Sequence, residues 1–247
     1  MKKYIRESIL VVVILTTFVI LMTLGAISQD LSYHDFADKR VIFGIPNFFD
    51  VATNITFALF GMVGFVFSIK NRQKEAGWSW ITFFFGVAIV SFGSGYYHLN
   101  PNNDTLVWDR LPMTIGFMGL FIAILSEFVN KNIERYFLIP AILLGFSSVI
   151  YWHFFDDLRF YFWIQFTPLL TIPLAIILFK GKYTHQRYLI FALLFYLFAK
   201  ITETYDKEIF AFINEQLSGH SMKHLFASIG PFYIYTMLKK RAVISKQ

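Results

Sequence analysis

Three histidines are the residues of this chain best suited to chemistry. His220 and His224 are four residues apart, which places them on one face of a helix about one turn apart and lets two imidazoles bind one metal ion. His98 ends an apolar run with Ser94 one helical turn before it, and Asp109 begins the next run. Three neutral imidazoles on zinc leave a position for water, whose pKa the metal lowers to about 7, and a nearby carboxylate can take its proton. These five residues together are the set of a catalytic zinc site.

Other kinds of site are less compatible with this sequence. The chain has no cysteine, so thiolate zinc sites, iron–sulfur clusters and cysteine nucleophiles are excluded. His34, His153 and His185 have no partner at metal spacing, and we expect them in loops or interfaces. Bis-histidine haem needs ligands on opposite sides of the macrocycle, which one helix face cannot supply. A transport or receptor-like bundle, in which the histidines relay protons or sense a ligand, remains an alternative without a stoichiometric metal.

The composition indicates that a membrane bundle positions these residues. The 247 residues are 56% hydrophobic and 15% charged, with a mean hydropathy of +0.55, which is too apolar for a soluble domain of this length. The net charge of +6 is divided among short clusters between apolar runs, so it does not indicate a nucleic-acid partner. The bilayer is the expected environment, and we predict one helical bundle without internal repeats.

Eight apolar runs are long enough to be considered as transmembrane helices, which need about 20 residues each. The seventh run reaches that length only if the polar segment from Lys200 to Glu203 lies inside the protein. The first run, preceded by basic residues, resembles a signal peptide but is long enough to be a retained anchor, which we favour. The runs are Ser8 to Gln29, Val51 to Ile69, Ala76 to Tyr97, Leu111 to Ser126, Tyr136 to Phe155, Phe160 to Phe179, Tyr188 to Ala199 and Gly219 to Leu238.

The distribution of charge between these runs predicts the orientation. With Met1 in the cytoplasm, most of the 22 basic residues fall on the inner side, whereas the outer loops are acidic. Both termini are then cytoplasmic, and His98, Asp109, His220 and His224 share a depth near the outer, periplasmic or lumenal face. The inner basic residues are Lys2, Lys3, Arg6, Lys70, Arg72, Lys74, Lys131, Arg135, Lys180, Lys182, Arg187, Lys239, Lys240, Arg241 and Lys246.

The spacing of the polar residues resembles that of the alkaline ceramidase family, in the CREST superfamily of seven-helix membrane hydrolases, and the chain looks like a bacterial-type member. The resemblance rests on Ser94-xxx-His98, on Asp109 eleven residues later and on GHSMKH at Gly219 to His224. It extends from about Phe36 to Leu238 and includes GIPNFFDVATN at Gly44 to Asn54. It therefore implies a seven-transmembrane hydrolase domain, residues 31–247, preceded by an anchor helix, residues 1–30.

The resemblance also implies a function. His98, His220 and His224 would bind zinc, Asp109 would orient or deprotonate the water, and Ser94 would help hold the metal or the developing oxyanion. The chain would be a zinc-dependent amidase that hydrolyses ceramide-like lipids to fatty acid and a sphingoid base or other amine. Alternatives are a zinc hydrolase of another acylated lipid and the non-enzymatic bundle. Phe92, Phe117 and Phe226 are candidates for an acyl-chain pocket, although ordinary helix packing or lipid contact is the simpler interpretation.

Two departures from the family pattern matter. The run from Ser8 to Gln29 lies outside the seven-helix core, and we expect it not to touch the chemistry. Animal relatives bind calcium through an acidic, Trp-containing segment before the first core helix, whereas this chain lacks the Trp there and has two basic residues. Calcium is therefore not expected, and Asp35, Asp38 and Asn47 are the only oxygen ligands to inspect.

Overall fold

The long apolar runs form helices that pack into one all-α bundle, described by the computed structural model for residues 3–72 and 76–244. A short 3-10 helix at Leu31–His34 follows the first helix, and the bundle has the helical class expected from the sequence. The helices are α1 (Lys3–Thr23), α2 (Phe48–Ala52), α3 (Ile55–Lys70), α4 (Gly77–Leu99), α5 (Asn103–Phe128), α6 (Ile133–Phe155), α7 (Arg159–Leu178), α8 (Arg187–Thr204), α9 (Asp206–Phe212) and α10 (Gly219–Lys240).

The length and hydropathy of its helices identify the chain as a multi-pass membrane protein. In the described part of the chain, six helical segments are long and apolar enough to cross a bilayer, and α1 is one of them. The pair α8 and α9, bent by 82°, adds a seventh if it counts as one span. Helix α10 has 22 residues but is not among these candidates, in keeping with the imidazoles and the ammonium in its first turns. Eight spans therefore remain a prediction.

Helix α5 begins earlier than the hydropathy indicated. The Asn102 side chain accepts hydrogen bonds from the backbone N–H groups of Asp104 and Thr105, and the Thr105 hydroxyl accepts one from the Asn102 N–H. This capping box starts the helix at Asn103. The expectation that Asp109 begins the fourth span was therefore wrong, because Asp109 and Pro112 lie inside α5. A helix continues through charged residues when their side chains are buried among neighbouring helices.

Helices α4 and α5 approach each other closely along a row of glycines. A Cβ at Gly86 would lie 2.4 Å from the backbone nitrogen of Gly116, and one at Gly93 would lie 2.0 Å from the carbonyl oxygen of Trp108. Pro112 has no N–H to bond that carbonyl, as a residue four positions later in a helix normally would. The small residues let the backbones approach, which brings the end of α4 towards the middle of α5.

The segment after α1 is bound to the end of the bundle where α6 meets α7. Arg159 pairs with Asp157 at 2.6 Å and donates to the carbonyl of Leu24 at 2.6 Å, and the Asp156 carboxylate accepts from the backbone N–H of Gln29. The side-chain oxygen of Gln29 accepts a hydrogen bond of 2.6 Å from Arg110. The expectation that this run does not touch the chemistry stays a prediction, and the run reaches the cavity wall only indirectly, through Arg110, which lines a cavity together with Asp109.

The Asp157–Arg159 pair predicts a pH-dependent stability. Hydrogen bonds to Arg159 lower the pKa of Asp157 below its ordinary value, so the pair stabilises the fold above the unfolded pKa of about 3.9 and loses this effect as the pH falls through the folded pKa. At pH 7 we expect Asp157→Asn to lower the Tm by about 2–4 °C. The difference from the parent should shrink as the pH falls below the unfolded pKa, whereas Glu208→Gln, at an exposed residue, should change the Tm little. A constant difference across this range would contradict the explanation. Thermal unfolding in detergent provides the measurement.

Candidate metal site and cavity

The three histidines predicted as ligands meet in the folded chain. Their ring centroids form a nearly equilateral triangle, with separations of 4.8 Å for His98–His220, 5.0 Å for His98–His224 and 4.9 Å for His220–His224. One ligand atom from each lies within 4.8 Å of the others, and all three side chains are buried. Because imidazole nitrogens are metal ligands when neutral, this group can hold a metal ion.

Two nitrogens of the cluster lack hydrogen-bond partners within the described residues, namely His98 Nδ1 and His224 Nε2. A buried polar atom without a partner is costly, and binding an ion is one of the ordinary ways to satisfy it. For His224 the tautomer follows from its neighbours. The single hydroxyl proton of Thr53 is donated to the Phe49 carbonyl at 2.7 Å, so the same oxygen accepts from Nδ1–H of His224 at 3.0 Å. The Nε2 lone pair is then free for a metal.

This role of Thr53 gives a testable result. We expect Thr53→Val to weaken the affinity of the cluster for a metal ion by about 10- to 100-fold, as is usual when the partner that orients a metal-binding histidine is lost. Thr56→Val is the matched control, because the Thr56 hydroxyl donates only to the Thr53 carbonyl within the same helix turn. Zinc titration against a competing chelator measures both variants. Equal affinities in Thr53→Val and the parent would contradict the orienting role.

The first turn of α10 is held by carboxylates from other elements. Ser218 and Ser221 donate to one oxygen of Asp50, at 3.0 and 2.5 Å, and the backbone N–H of His220 donates to Asp206 at 2.7 Å. A Cβ on Gly219 would lie 2.3 Å from the carbonyl of Thr202. A glycine is therefore needed for α10 to start this close to α8, and the contacts position His220.

The segment before α2 also packs against the histidine cluster. The ring of Phe36 lies 4.3 Å from the ring of His220 and 4.8 Å from that of His98. Asn47, in the left-handed region at φ 47°, donates its side-chain N–H to the His98 carbonyl at 2.8 Å. The left-handed conformation is tolerated by Asn more readily than by most residues. Sequence reasoning missed Phe36, because a lone aromatic residue in a loop has no periodic signal.

Ser94 and Asp109 lie where the sequence indicated, on facing helices. Both are buried, and the two side chains lie close enough to interact. With Arg110, Lys223 and His224 they line the polar part of a cavity of about 440 Å³. The close contact of α4 and α5 at Gly93 is what places this serine beside this carboxylate.

The rest of the cavity is apolar and long. Its wall follows α7 from Tyr161 to Ile176, about 22 Å of helix. Half of the hydrocarbon core is about 15 Å, so this length can receive a lipid chain. Phe117 lines the cavity, whereas Phe92 is 74% exposed and Phe226 packs on Phe195 and Phe198. Of the three aromatic residues considered for an acyl-chain pocket, only Phe117 lines the cavity. Phe92 has an exposed side chain, and Phe226 takes part in ordinary helix packing.

Lys223 lies beside the histidine cluster. Its ammonium is 2.7 Å from Glu203 and 3.4 Å from Nε2 of His220. Glu203 also pairs with Lys200, and Tyr33 donates to it at 3.3 Å. Asp206 accepts hydrogen bonds from the backbone N–H groups of His220 and Ala37.

The residues considered for calcium have other partners. Lys39 and Lys207 bind Asp35 at 2.5 Å, and these hydrogen bonds, that of Lys207 first, lower the pKa of Asp35 to about 2. Arg40 pairs with the buried Asp38, also at 2.5 Å. Cationic side chains occupy both carboxylates, which disfavours a bound cation. The absence of a calcium site stays a prediction.

The fold and the site define a multi-pass membrane protein with a buried three-histidine cluster, consistent with a metal-dependent hydrolase. Residues 40–247 match the Ceramidase family. Because the match covers most of the chain, the chain belongs to this family, as the sequence resemblance indicated. Membership implies an amidase hydrolase and points to a ceramide-like lipid substrate. A comparison with curated proteins gave no match.

Proposed function

We propose that the chain is a zinc-dependent intramembrane amidase that hydrolyses the N-acyl amide of ceramide-like lipids to fatty acid and a sphingoid base or amine. The observation that carries the proposal is the triangle of buried imidazoles beside a lipid-sized apolar cavity. In this proposal the hydrolase unit is residues 31–247, with the anchor in residues 1–30.

His98, His220 and His224 would hold the metal, and their chemistry suits zinc. Imidazole donors favour zinc over the oxygen-preferring magnesium and calcium, and three protein ligands are the usual set of a catalytic zinc site. When bound, zinc supplies a Lewis acid that polarises the amide carbonyl and makes water more acidic. The unpartnered nitrogens of His98 and His224 are the observation in favour of a metal.

Asp109 would move the proton of the reaction. Its carboxylate accepts a proton from the attacking water and later passes one to the leaving nitrogen, which a single group can do when its proton remains in the site. The amine then leaves protonated. Ser94 holds this carboxylate by hydrogen bonding, and its hydroxyl can also stabilise the oxyanion or the metal. Burial of both residues excludes bulk water from competing for these bonds.

The placement of charge supports the proposed orientation. The histidine cluster lies at the end of α4, whereas the opposite end of α10 carries Lys239 and Lys240, and the loops before α4 and α8 are basic. Lys2, Lys74 and Lys246, which contribute to the same pattern, lie outside the described residues. By the positive-inside rule the site is then near the outer face, with both termini cytoplasmic. The amide would lie at the headgroup boundary, with the acyl chain in the cavity.

The test is metal content together with activity. Detergent-purified parent protein should contain close to one zinc per chain and release fatty acid from a fluorescent ceramide, whereas the double variant His220→Ala, His224→Ala should lose both. A second double variant, His153→Ala, His185→Ala, is the matched control and should keep both. Zinc without ceramide turnover would retain the site and reopen the choice of acylated lipid. Absence of zinc from every protein after metal has been supplied would overturn the hydrolase in favour of a non-enzymatic bundle.

A further inference from the structure

An ammonium group is held in contact with the histidine cluster. Lys223 lies on α10 three residues after His220 and directly before His224. Its Nζ is 2.7 Å from Glu203 and 3.4 Å from Nε2 of His220, and the second distance is longer than a good hydrogen bond. A cation is therefore placed beside the proposed ligands by the same helix that carries two of them.

Glu203 fixes the position of this ammonium. One oxygen of its carboxylate binds Lys223 and accepts a hydrogen bond of 3.3 Å from the Tyr33 hydroxyl, and the other oxygen binds Lys200. These partners lie on α10, on the 3-10 helix and on α8. A carboxylate bound from three sides has little freedom, so the ammonium is oriented before any substrate arrives.

The cavity reaches this ion pair. Lys223 and Glu203 line it together with Ser94, Asp109 and His224. Their side chains keep 16% and 12% of their surface accessible, so a molecule in the cavity can touch them. Within residues 3–72 and 76–244, Glu203 is the one close hydrogen-bond partner of the ammonium. An ammonium has three donors, which leaves N–H groups for a bound molecule.

A purely structural role explains this lysine poorly. Helices α8 and α10 already pack on each other, and Glu203 has a second counter-charge in Lys200. The ion pair of Lys223 is therefore needed neither to join the helices nor to neutralise the carboxylate. An ammonium inside a membrane bundle costs free energy, so such a residue is a candidate for function.

The proposed reaction has a use for a fixed cation at this place. Hydrolysis of an amide moves negative charge onto the carbonyl oxygen, and an oriented donor beside that oxygen lowers the barrier. The carbonyl must approach the histidine cluster in order to react. That approach brings its oxygen towards an ammonium only 3.4 Å from a nitrogen of the cluster.

We propose that Lys223 is a further catalytic residue, whose ammonium donates a hydrogen bond to the carbonyl oxygen of the scissile amide as negative charge develops there. This inference rests on the proposed amidase function, and Glu203 is the positioning residue. Lys223 keeps its proton throughout. The amide C–N bond breaks, a C–O bond forms from water, and the proton of the water reaches the leaving nitrogen by way of Asp109.

The test compares two lysines that share the carboxylate of Glu203, of which Lys223 contacts the cluster and Lys200 is about half exposed. With zinc-loaded full-length protein, Lys223→Met should lower kcat for ceramide by about 10²- to 10³-fold and change KM little, as expected for loss of one oxyanion donor. Lys200→Met is the matched control and should lower kcat by less than about fivefold, because exposed ion pairs contribute little. Both variants should keep the zinc content of the parent.

A second substrate separates the carbonyl from the hydroxyl groups of the lipid. The lipid 1-deoxyceramide lacks the terminal hydroxyl but keeps the amide, so Lys223→Met should lose the same factor on it as on ceramide. A loss confined to ceramide would show that Lys223 binds the hydroxyl instead, and would overturn the catalytic role.

Other outcomes distinguish the failure of this inference from that of the amidase. An active parent with equal losses in the two lysine variants, or with none in Lys223→Met, would overturn the role of Lys223 and leave the amidase intact. If Lys223→Met does not fold, Lys223→Gln decides, because its amide keeps a donor without the charge. We then expect a loss of about tenfold, and full activity would contradict the inference. A parent that hydrolyses no amide would overturn the amidase and this role together.

Discussion

Asp109→Asn is expected to lower ceramide hydrolysis by about 10²- to 10⁴-fold while zinc content stays near that of the parent. The amide side chain has nearly the same shape, but it cannot accept the proton of the attacking water. The ligands are on α4 and α10, so a change on α5 leaves them in place. Activity and metal content measured on one preparation separate proton transfer from metal binding.

Asp104→Asn provides the matched control for this prediction. Asp104 is an exposed residue of the same helix, and its side chain does not line the cavity. We expect its activity to equal that of the parent. Retention of full activity by Asp109→Asn would refute the proton-transfer role, and loss of zinc by the same variant would show that the carboxylate acts on the metal instead.

Gly93→Ala is expected to abolish most activity, with a loss of about 100-fold, and to destabilise the protein by about 1–3 kcal/mol or more. The added Cβ would lie 2.0 Å from the Trp108 carbonyl oxygen, so α4 and α5 must separate. A displacement of about 1 Å between Ser94 and Asp109 suffices for such a loss of rate. Fatty-acid release and thermal unfolding in detergent measure the two effects.

The neighbouring glycine offers a control on the same helix. A Cβ at Gly95 would have no neighbouring atom within 4 Å. Gly95→Ala should therefore leave activity unchanged and raise stability by up to about 1 kcal/mol, because alanine favours the helix. Equal behaviour of the two variants would mean that the close contact at Gly93 does not position the site.

The sequence predicted the helical class and most helix positions, because apolar runs of membrane length are long and unambiguous. The predicted run begins too late for α5, because runs limited to uncharged residues exclude Asp109 and Arg110. The capping residues Asn102 and Thr105 contained the missing signal. The contact of Gln29 with Arg110 joins residues 81 positions apart in the sequence, and no local pattern encodes such a pairing.

The residues of the candidate site that could be predicted from the sequence are those whose side chains have distinctive chemistry. The three histidines meet as their spacing and the family resemblance indicated, and Ser94 lies beside Asp109. The residues that orient them were missed, because Thr53 and Phe36 are common residue types whose roles depend on contacts across the fold. Arg110 precedes the predicted run from Leu111 to Ser126 and had no assigned role, although it is buried and lines the cavity.

The two halves of the histidine cluster belong to different parts of the bundle. Helix α4 packs mainly on α5 and α3, whereas α10 packs mainly on α8 and α3. His98 and His220 are 122 positions apart in the sequence (220 − 98). An ion held by both would cross-link distant parts of the chain, and a ligand at about a thousand times its Kd stabilises a native state by about 4 kcal/mol. Removing a bound metal with a chelator should therefore lower the Tm as well as the activity, because the proposed ligands lie on helices that pack on different neighbours.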